Sequence, residues 1–243
     1  MNDLLLTHSV TSYECSADHL LKPECFMLLC QEMAELHAEQ NGLGYDWSVS
    51  NHMVWVEVQG TFEFIRRPQW KEKVTMRTNT GKASALQARR FVEMTDESGK
   101  VIARADLLWV LIDITSRRPI PLKRAGLEMT EDCPAITDPF PKAEPVEEGT
   151  AAPYAPAHFT ALRRDVDFNG HINNSAYLTW TLDTMPAELA ADRAPARINI
   201  QFKHETFAGQ PVSAEHRAES ETITRHRIVS EGVLRAEIGI EWA

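Results

Sequence analysis

Residues 164–180 read RDVDFNGHINNSAYLTW. Asp165, Asp167, Asn169 and Gly170 fit the opening of a calcium loop, D-x-[DN]-x-[DN]-G. Such a loop needs a chelating glutamate at its twelfth position, and that position holds Ala176. It also needs a helix leading in, whereas PYAPAHFTALRR (153–164) has two prolines and alternates like a strand. The stretch reads better as a polar turn between a strand ending near Arg164 and a helix starting near Ile172 or Asn173. Asn173 and Asn174 suit the cap of that helix. Backbone N–H groups at a helix start are unpaired and the helix dipole is positive there. Such a place suits an oxygen that gains negative charge in acyl transfer. Asn169 can donate or accept through its amide, and His171 can take a proton near neutral pH. Asp167 can orient either of them, with Asp165 capping the turn. Asp, Asn and Gly also build ordinary turns, because they tolerate left-handed backbone angles, so the residues alone leave both readings open.

Working outward, INNSAYLTWTLDTM (172–185) is helical in pattern and stops at Pro186; Tyr177 and Trp180 share one face and read as core. Strand-like runs follow: ARINIQFKHET, PVSAEHRAESET, RHRIVSEG and VLRAEIGIEWA. The first part of the chain has the same plan. LKPECFMLLCQEMAELHAEQNGLG places Phe26, Cys30, Met33 and His37 at helical spacing, with Pro23 in the first turn and Asn41-Gly42 as the stop. HMVWVEVQGTFEFI, KVTMRTNTGKA, LQARRFVEMT and KVIARADLLWVLIDI read as strands, the last two joined by a DESG turn at 96–99. GKVIARADLLWV and EGVLRAEIGIEW even share a rhythm, with Gly99 and Trp109 matching Gly232 and Trp242. A helix followed by antiparallel strands, twice over, predicts an α+β protein.

Eight of the thirteen prolines fall between Pro119 and Pro156, around the acidic run EPVEEG at 144–149. This predicts an N-terminal domain over 1–122, a proline-rich linker over 123–154 and a C-terminal domain over 155–243. A net charge of −10 argues against nucleic acid or a membrane surface as partner. The longest apolar run, LLWVLI at 107–112, is too short to insert in a bilayer, and MNDLLLTHSV does not read as a secretory signal. Cys15, Cys25, Cys30 and Cys133 form no CxxC pair, so reduced thiols in a cytoplasmic protein are expected, with neither disulfides nor zinc.

DVDFNGHINNSAYLTW resembles the D-x-D-x-N-x-H-x-N-N-x-x-Y-x-x-W signature of the fatty acyl-acyl-carrier-protein (acyl-ACP) thioesterases, the plant-type enzymes and their bacterial relatives. HAEQNGLG, FIRRPQWKEKV, ADLLWVLIDITSRRP and QFKHETFAGQPV agree with it, and the likeness runs from about Tyr13 to the C-terminus. The resemblance implies a tandem hotdog, each half a curved antiparallel sheet around a long helix. It implies hydrolysis of the thioester between a fatty acyl chain and the phosphopantetheine arm of ACP, without metal or organic cofactor. Asp167, Asn169 and His171 match the family's catalytic residues, and Glu205 matches its downstream Glu. Plant members have a Cys after that Glu; here Thr206 stands there. An unactivated hydroxyl is a far weaker nucleophile than a thiolate, so water is expected to attack. Glu205, helped or replaced by His171, is then the general base. Asn169 and a helix-start N–H hold the carbonyl oxygen.

Met33, Trp55, Asn173 and Thr206 are the expected substrate-binding residues; Phe26, Met33, Trp55 and Trp109 also suit a plain core. An acidic ACP needs a local basic patch, for which RRPQWKEK (66–73), RRPIPLKR (117–124) and Arg163–Arg164 are candidates. Hotdog sheets often pair further, which leaves room for a homodimer. Two other readings remain: a hotdog acyl-CoA thioesterase, and a non-catalytic acyl-carrier or acyl-chain binder.

Overall fold

The computed structural model describes residues 3–129, 135–143, 154–190 and 193–243. It comprises two compact units, Met1–Pro139 and Phe140–Ala243. The division falls within the expected linker. Residues 130–134 and 144–153 of that linker, with Cys133 and the acidic run, lie outside the described residues.

The first unit has one long helix, α1 (Pro23–Gln40), a short α2 (Tyr45–Ser50) and five strands: β1 (Leu4–Ser9), β2 (Met53–Phe64), β3 (Lys73–Lys82), β4 (Gln87–Thr95) and β5 (Val101–Asp113). Their order across the sheet is β1-β3-β4-β5-β2, antiparallel throughout. Alternation drives the folding of these strands: β4 (QARRFVEMT) buries every second residue. The buried stripe of α1 is Phe26, Cys30, Met33 and His37, the spacing that puts side chains on one helix face. Phe26 meets Phe62 and Phe64 edge-on at 6.1 and 5.5 Å. Burying a phenylalanine of this kind contributes up to about 3 kcal/mol. Gly42, at φ +69°, ends the helix where the sequence places its stop.

The second unit repeats the plan on a smaller scale. Its helix is α3 (Asn174–Thr184), followed by a single turn, α4 (Ala187–Ala190); its strands are β6 (Ala157–Thr160), β7 (Pro195–Phe202), β8 (Pro211–Ala218), β9 (Ile223–Ser230) and β10 (Val233–Trp242). The sheet order β6-β8-β9-β10-β7 is that of the first unit, strand for strand. Tyr177 and Trp180 are core residues with rings 5.4 Å apart. Each unit is thus a hotdog: a five-stranded antiparallel sheet packed on one principal helix. Cys15, Cys25 and Cys30 are free thiols, and burial raises the Cys25 thiol to about 11. Such a thiol packs and does not attack.

Candidate active site

The strand leading to the signature is shorter than its pattern suggests. β6 ends at Thr160, and a single 3-10 turn at Arg163–Asp165 intervenes. Val166 and Ile172 then pair as an isolated antiparallel bridge and pinch off residues 167–171 as a closed turn. Asp167 holds the turn from inside. Its N–H donates to the His171 carbonyl at 2.8 Å and its carbonyl accepts from Gly170 N–H at 3.1 Å. Its carboxylate accepts from the backbone N–H of Asn169 at 2.9 Å and of His171 at 3.4 Å. Gly170 turns the chain at φ +84°. Asp167 therefore orients Asn169 and His171 through their main chain.

The other signature residues anchor the turn. The Asp165 carbonyl accepts from Asn173 N–H at 2.8 Å, and its carboxylate accepts from Trp180 Nε1 at 3.3 Å. Asn173 caps α3, its side-chain oxygen accepting from Ser175 N–H at 2.8 Å. That cap occupies the Ser175 N–H, so this donor is not open to a substrate carbonyl. Asp165 and Asp167 spend their carboxylate bonds within the protein, and Ala176 is a buried helical residue; these assignments fit a structural turn better than a calcium loop.

Glu205 comes from a distant segment, just past the end of β7. Two contacts bring it to the turn. Ile172 N–H donates to the Thr206 carbonyl at 2.9 Å, and the Tyr177 hydroxyl donates to Thr206 Oγ at 2.9 Å. The Glu205 carboxylate then lies 3.9 Å from His171 Nε2, with both side chains about one-third exposed (37% and 34%). The Phe207 ring stands edge-on to His171 at 5.2 Å. Phe168, Leu162 and Phe207 are exposed apolar side chains near this pair in sequence.

The structure thus brings together Asp167, Asn169, His171 and Glu205, with Asn173 and Thr206 behind them. Asn169 is exposed and His171 partly so. Thr206 is wholly buried with its Oγ accepting from the Tyr177 hydroxyl, so it supports the Glu205 segment and presents no surface to a ligand here. Asn173 is used as the helix cap. Met33 and Trp55 belong to the first unit, Met33 fully buried on α1 and Trp55 half-buried on β2 opposite Leu111. Sequence reasoning missed Phe207 and the Tyr177 hydroxyl as partners of the site. Tyr177 carried a readable signal, because buried tyrosines seek a hydrogen bond.

The fold and the paired turn define a tandem hotdog protein whose second hotdog carries a polar Asn/His turn facing a glutamate. The chain belongs to the acyl-ACP thioesterase family: the family's N-terminal domain matches residues 6–127 and its C-terminal domain residues 150–243. It is 26% identical over 214 residues to the oleoyl-acyl carrier protein thioesterase 2, chloroplastic, of Arabidopsis thaliana, covering 81% of this chain and 58% of that protein. The chain spans just over half the length of that relative. Among solved structures, an acyl-ACP thioesterase from Bacteroides thetaiotaomicron superposes with a TM-score of 0.83 at 20% identity, over 99% of this chain and 98% of that one. The 12:0-ACP thioesterase from Umbellularia californica gives 0.85 at 20% identity, over 99% and 97%. These likenesses carry the fold.

Proposed function

We propose that the chain hydrolyses the thioester between a fatty acyl chain and the phosphopantetheine arm of acyl carrier protein. The products are the free fatty acid and the carrier thiol. One observation carries the reading: two distant segments converge to set the Glu205 carboxylate against His171, in a chain whose family bears the same name. Water is the nucleophile. Its oxygen attacks the thioester carbon while Glu205, assisted by His171, takes its proton. The Asn169 amide donates to the carbonyl oxygen as that oxygen becomes negative. The intermediate collapses by breaking the C–S bond, and the departing thiolate receives a proton from the same acid–base pair. Asp167 keeps Asn169 and His171 in register. No step calls on a cofactor.

Carrier recognition needs positive charge on a protein whose net charge is −10. The 66–73 cluster is largely consumed internally: Arg66 pairs with Glu72 and Asp96, Arg67 pairs with Asp18, and Lys71 lies over the Trp70 ring. Arg118, Lys123 and Arg124 are exposed, as are Arg163 and Arg164 beside the turn. These exposed cations are the better candidates for meeting an acidic carrier. The deciding experiment is a side-by-side assay of dodecanoyl- and hexadecanoyl-ACP against the same acyl chains on CoA. Faster acid release from ACP supports the reading; a clear preference for CoA, or tight acyl binding without turnover, overturns it.

A further inference from the structure

Arg235 lies on β10, a strand that carries none of the residues assigned above, yet it reaches the one that takes the proton. Its Nη1 donates to the backbone carbonyl of Glu205 at 2.7 Å. Its own carbonyl accepts the N–H groups of Lys203 and His204 at 2.8 and 3.3 Å. A single residue thus grips the approach to Glu205 from both its main chain and its guanidinium. The outer end of the grip is braced: Arg235 Nη2 lies 3.7 Å from the Glu231 carboxylate, which accepts from Gln210 Nε2 at 2.8 Å. Gln210 in turn accepts Phe207 N–H at 2.8 Å through its side-chain oxygen. The brace ends on the main chain of Phe207, two residues past Glu205, whose ring stands against His171.

The fold itself does not ask for this arginine. In the first unit the same structural place is taken by Ile102, whose carbonyl accepts the N–H groups of Ile65 and Arg66 as that of Arg235 accepts Lys203 and His204. Ile102 is completely buried. Arg235 is 88% buried by its side chain, and its Nε is shut from solvent with no acceptor among the described residues. A buried donor without a partner is a cost that an aliphatic side chain avoids. A residue that breaks the local rule in one copy of a duplicated fold, and there touches a reacting group's backbone, points to function.

We propose that Arg235 is a positioning residue for the hydrolysis, fixing the direction of the Glu205 carboxylate, with Glu231 and Gln210 as its brace. This rests on the functional reading above. The test uses the full chain with dodecanoyl-ACP. Arg235→Ile, the residue type of the other copy, is expected to fold and to lose about 30- to 100-fold in kcat, with KM within about threefold, because a misplacement near 1 Å costs rate on that scale. Arg235→Lys keeps a donor and a charge and is expected to recover to within about fivefold of the parent. In a Glu205→Gln background the Arg235→Ile change is expected to cost less than about twofold further, since the two act as one unit.

Retention of kcat within about threefold in Arg235→Ile overturns the proposal, and so does a full second loss in the Glu205→Gln background. Should Arg235→Ile fail to fold, Glu231→Gln and Gln210→Ala decide: a drop of about three- to tenfold in kcat at constant KM and constant melting temperature supports the brace, and unchanged kcat overturns it. An inactive parent chain, by contrast, sinks the functional reading itself.

Discussion

The turn at Asp167–His171 has a twin in the first unit. There a 3-10 turn at Ser12–Glu14 leads to a Cys15–Leu21 bridge, as Arg163–Asp165 leads to Val166–Ile172. Ser16 N–H donates to the Leu20 carbonyl at 3.0 Å, as Asp167 N–H does to His171. His19 takes the left-handed place of Gly170, at φ +63°. Leu21 N–H reaches the Pro68 carbonyl at 2.8 Å, as Ile172 N–H reaches Thr206. The two cradles share a backbone and differ in side chains. Ser16, Asp18, Leu20 and Arg67 stand where Asp167, Asn169, His171 and Glu205 stand. Asp18 and Arg67 close the first cradle with an ion pair. The cradle is a product of the hotdog chain path; the two copies differ in four side chains, and under the proposed function those of the second copy carry the reaction.

The largest expected difference between the cradles is therefore in rate. Glu205→Gln, His171→Gln and Asn169→Ala are each expected to lower kcat/KM by about 10²- to 10³-fold, the scale of removing an acid–base group or an oxyanion donor. Asp18→Ala, Leu20→Ala and Arg67→Ala in the twin are expected to leave it within about threefold, because these groups only hold the turn. Initial rates on one acyl-ACP, with circular dichroism to confirm folding, separate the two sets. Equal losses in both would break the comparison.

How much of this was legible in sequence follows the same divide. The second cradle announced itself because Asp, Asn and His recur in it at fixed spacing. The first has the same backbone but no such pattern, and only hydrogen bonds reveal it. The repeat was readable at Gly99/Gly232 and Trp109/Trp242, and that register already set Ile102 against Arg235. What could not be read was that Arg235 grips the main chain of Glu205, since a backbone contact leaves no motif. α2 escaped for a similar reason. Its first N–H is satisfied by the Glu39 carboxylate at 2.8 Å, a partner supplied by the preceding helix. On β2 a bulge between Glu57 and Gln59 breaks the alternation that strand patterns rely on.

The polar clusters under the two helices sharpen the contrast in another way. Beneath α1, Arg90 meets His37 Nδ1 at 3.1 Å and Thr78 Oγ at 3.2 Å, and burial lowers its guanidinium only to about 10. It stays charged from acid to neutral pH and adds no slope there. Against α3, His216 and His226 face each other with Nδ1 atoms 2.9 Å apart, so one donates to the other. His216 Nε2 meets Thr184 Oγ at 3.1 Å, and Thr224 Oγ meets His226 Nε2 at 2.9 Å. Burial first, then His216 and Arg225, hold His226 down to about 3, and burial lowers His216 too. Both folded values lie below the unfolded one. The folded chain therefore binds fewer protons, and stability is complete above about pH 6.5 and falls as pH drops through it. The slope from His226 approaches about 1.4 kcal/mol per pH unit. Melting measured between pH 7.5 and 5 is expected to fall by several degrees, and His226→Gln to flatten that fall. A flat profile in the parent chain would show the pair to be indifferent to protons.

The smallest effect concerns the turn residue itself. At Gly170 an added Cβ meets nothing within 4 Å, so the only penalty of Gly170→Ala is the left-handed angle. That strain costs about 1–2 kcal/mol, and the stiffer unfolded chain returns about 0.4–1. The net expectation is a loss of about 0.5–1 kcal/mol. In the twin, His19 already bears the strain. His19→Gly removes it while loosening the unfolded chain by a similar amount, so its net change is expected to lie within about 0.5 kcal/mol of zero. Urea unfolding of the two variants, compared at equal m-value, measures both. If Gly170→Ala proves neutral, the turn is set by the Asp167 bonds and the Val166–Ile172 bridge instead of its glycine. The His19 twin is then the general case, and the glycine serves the chemistry alone, leaving open the approach to Asn169 and His171.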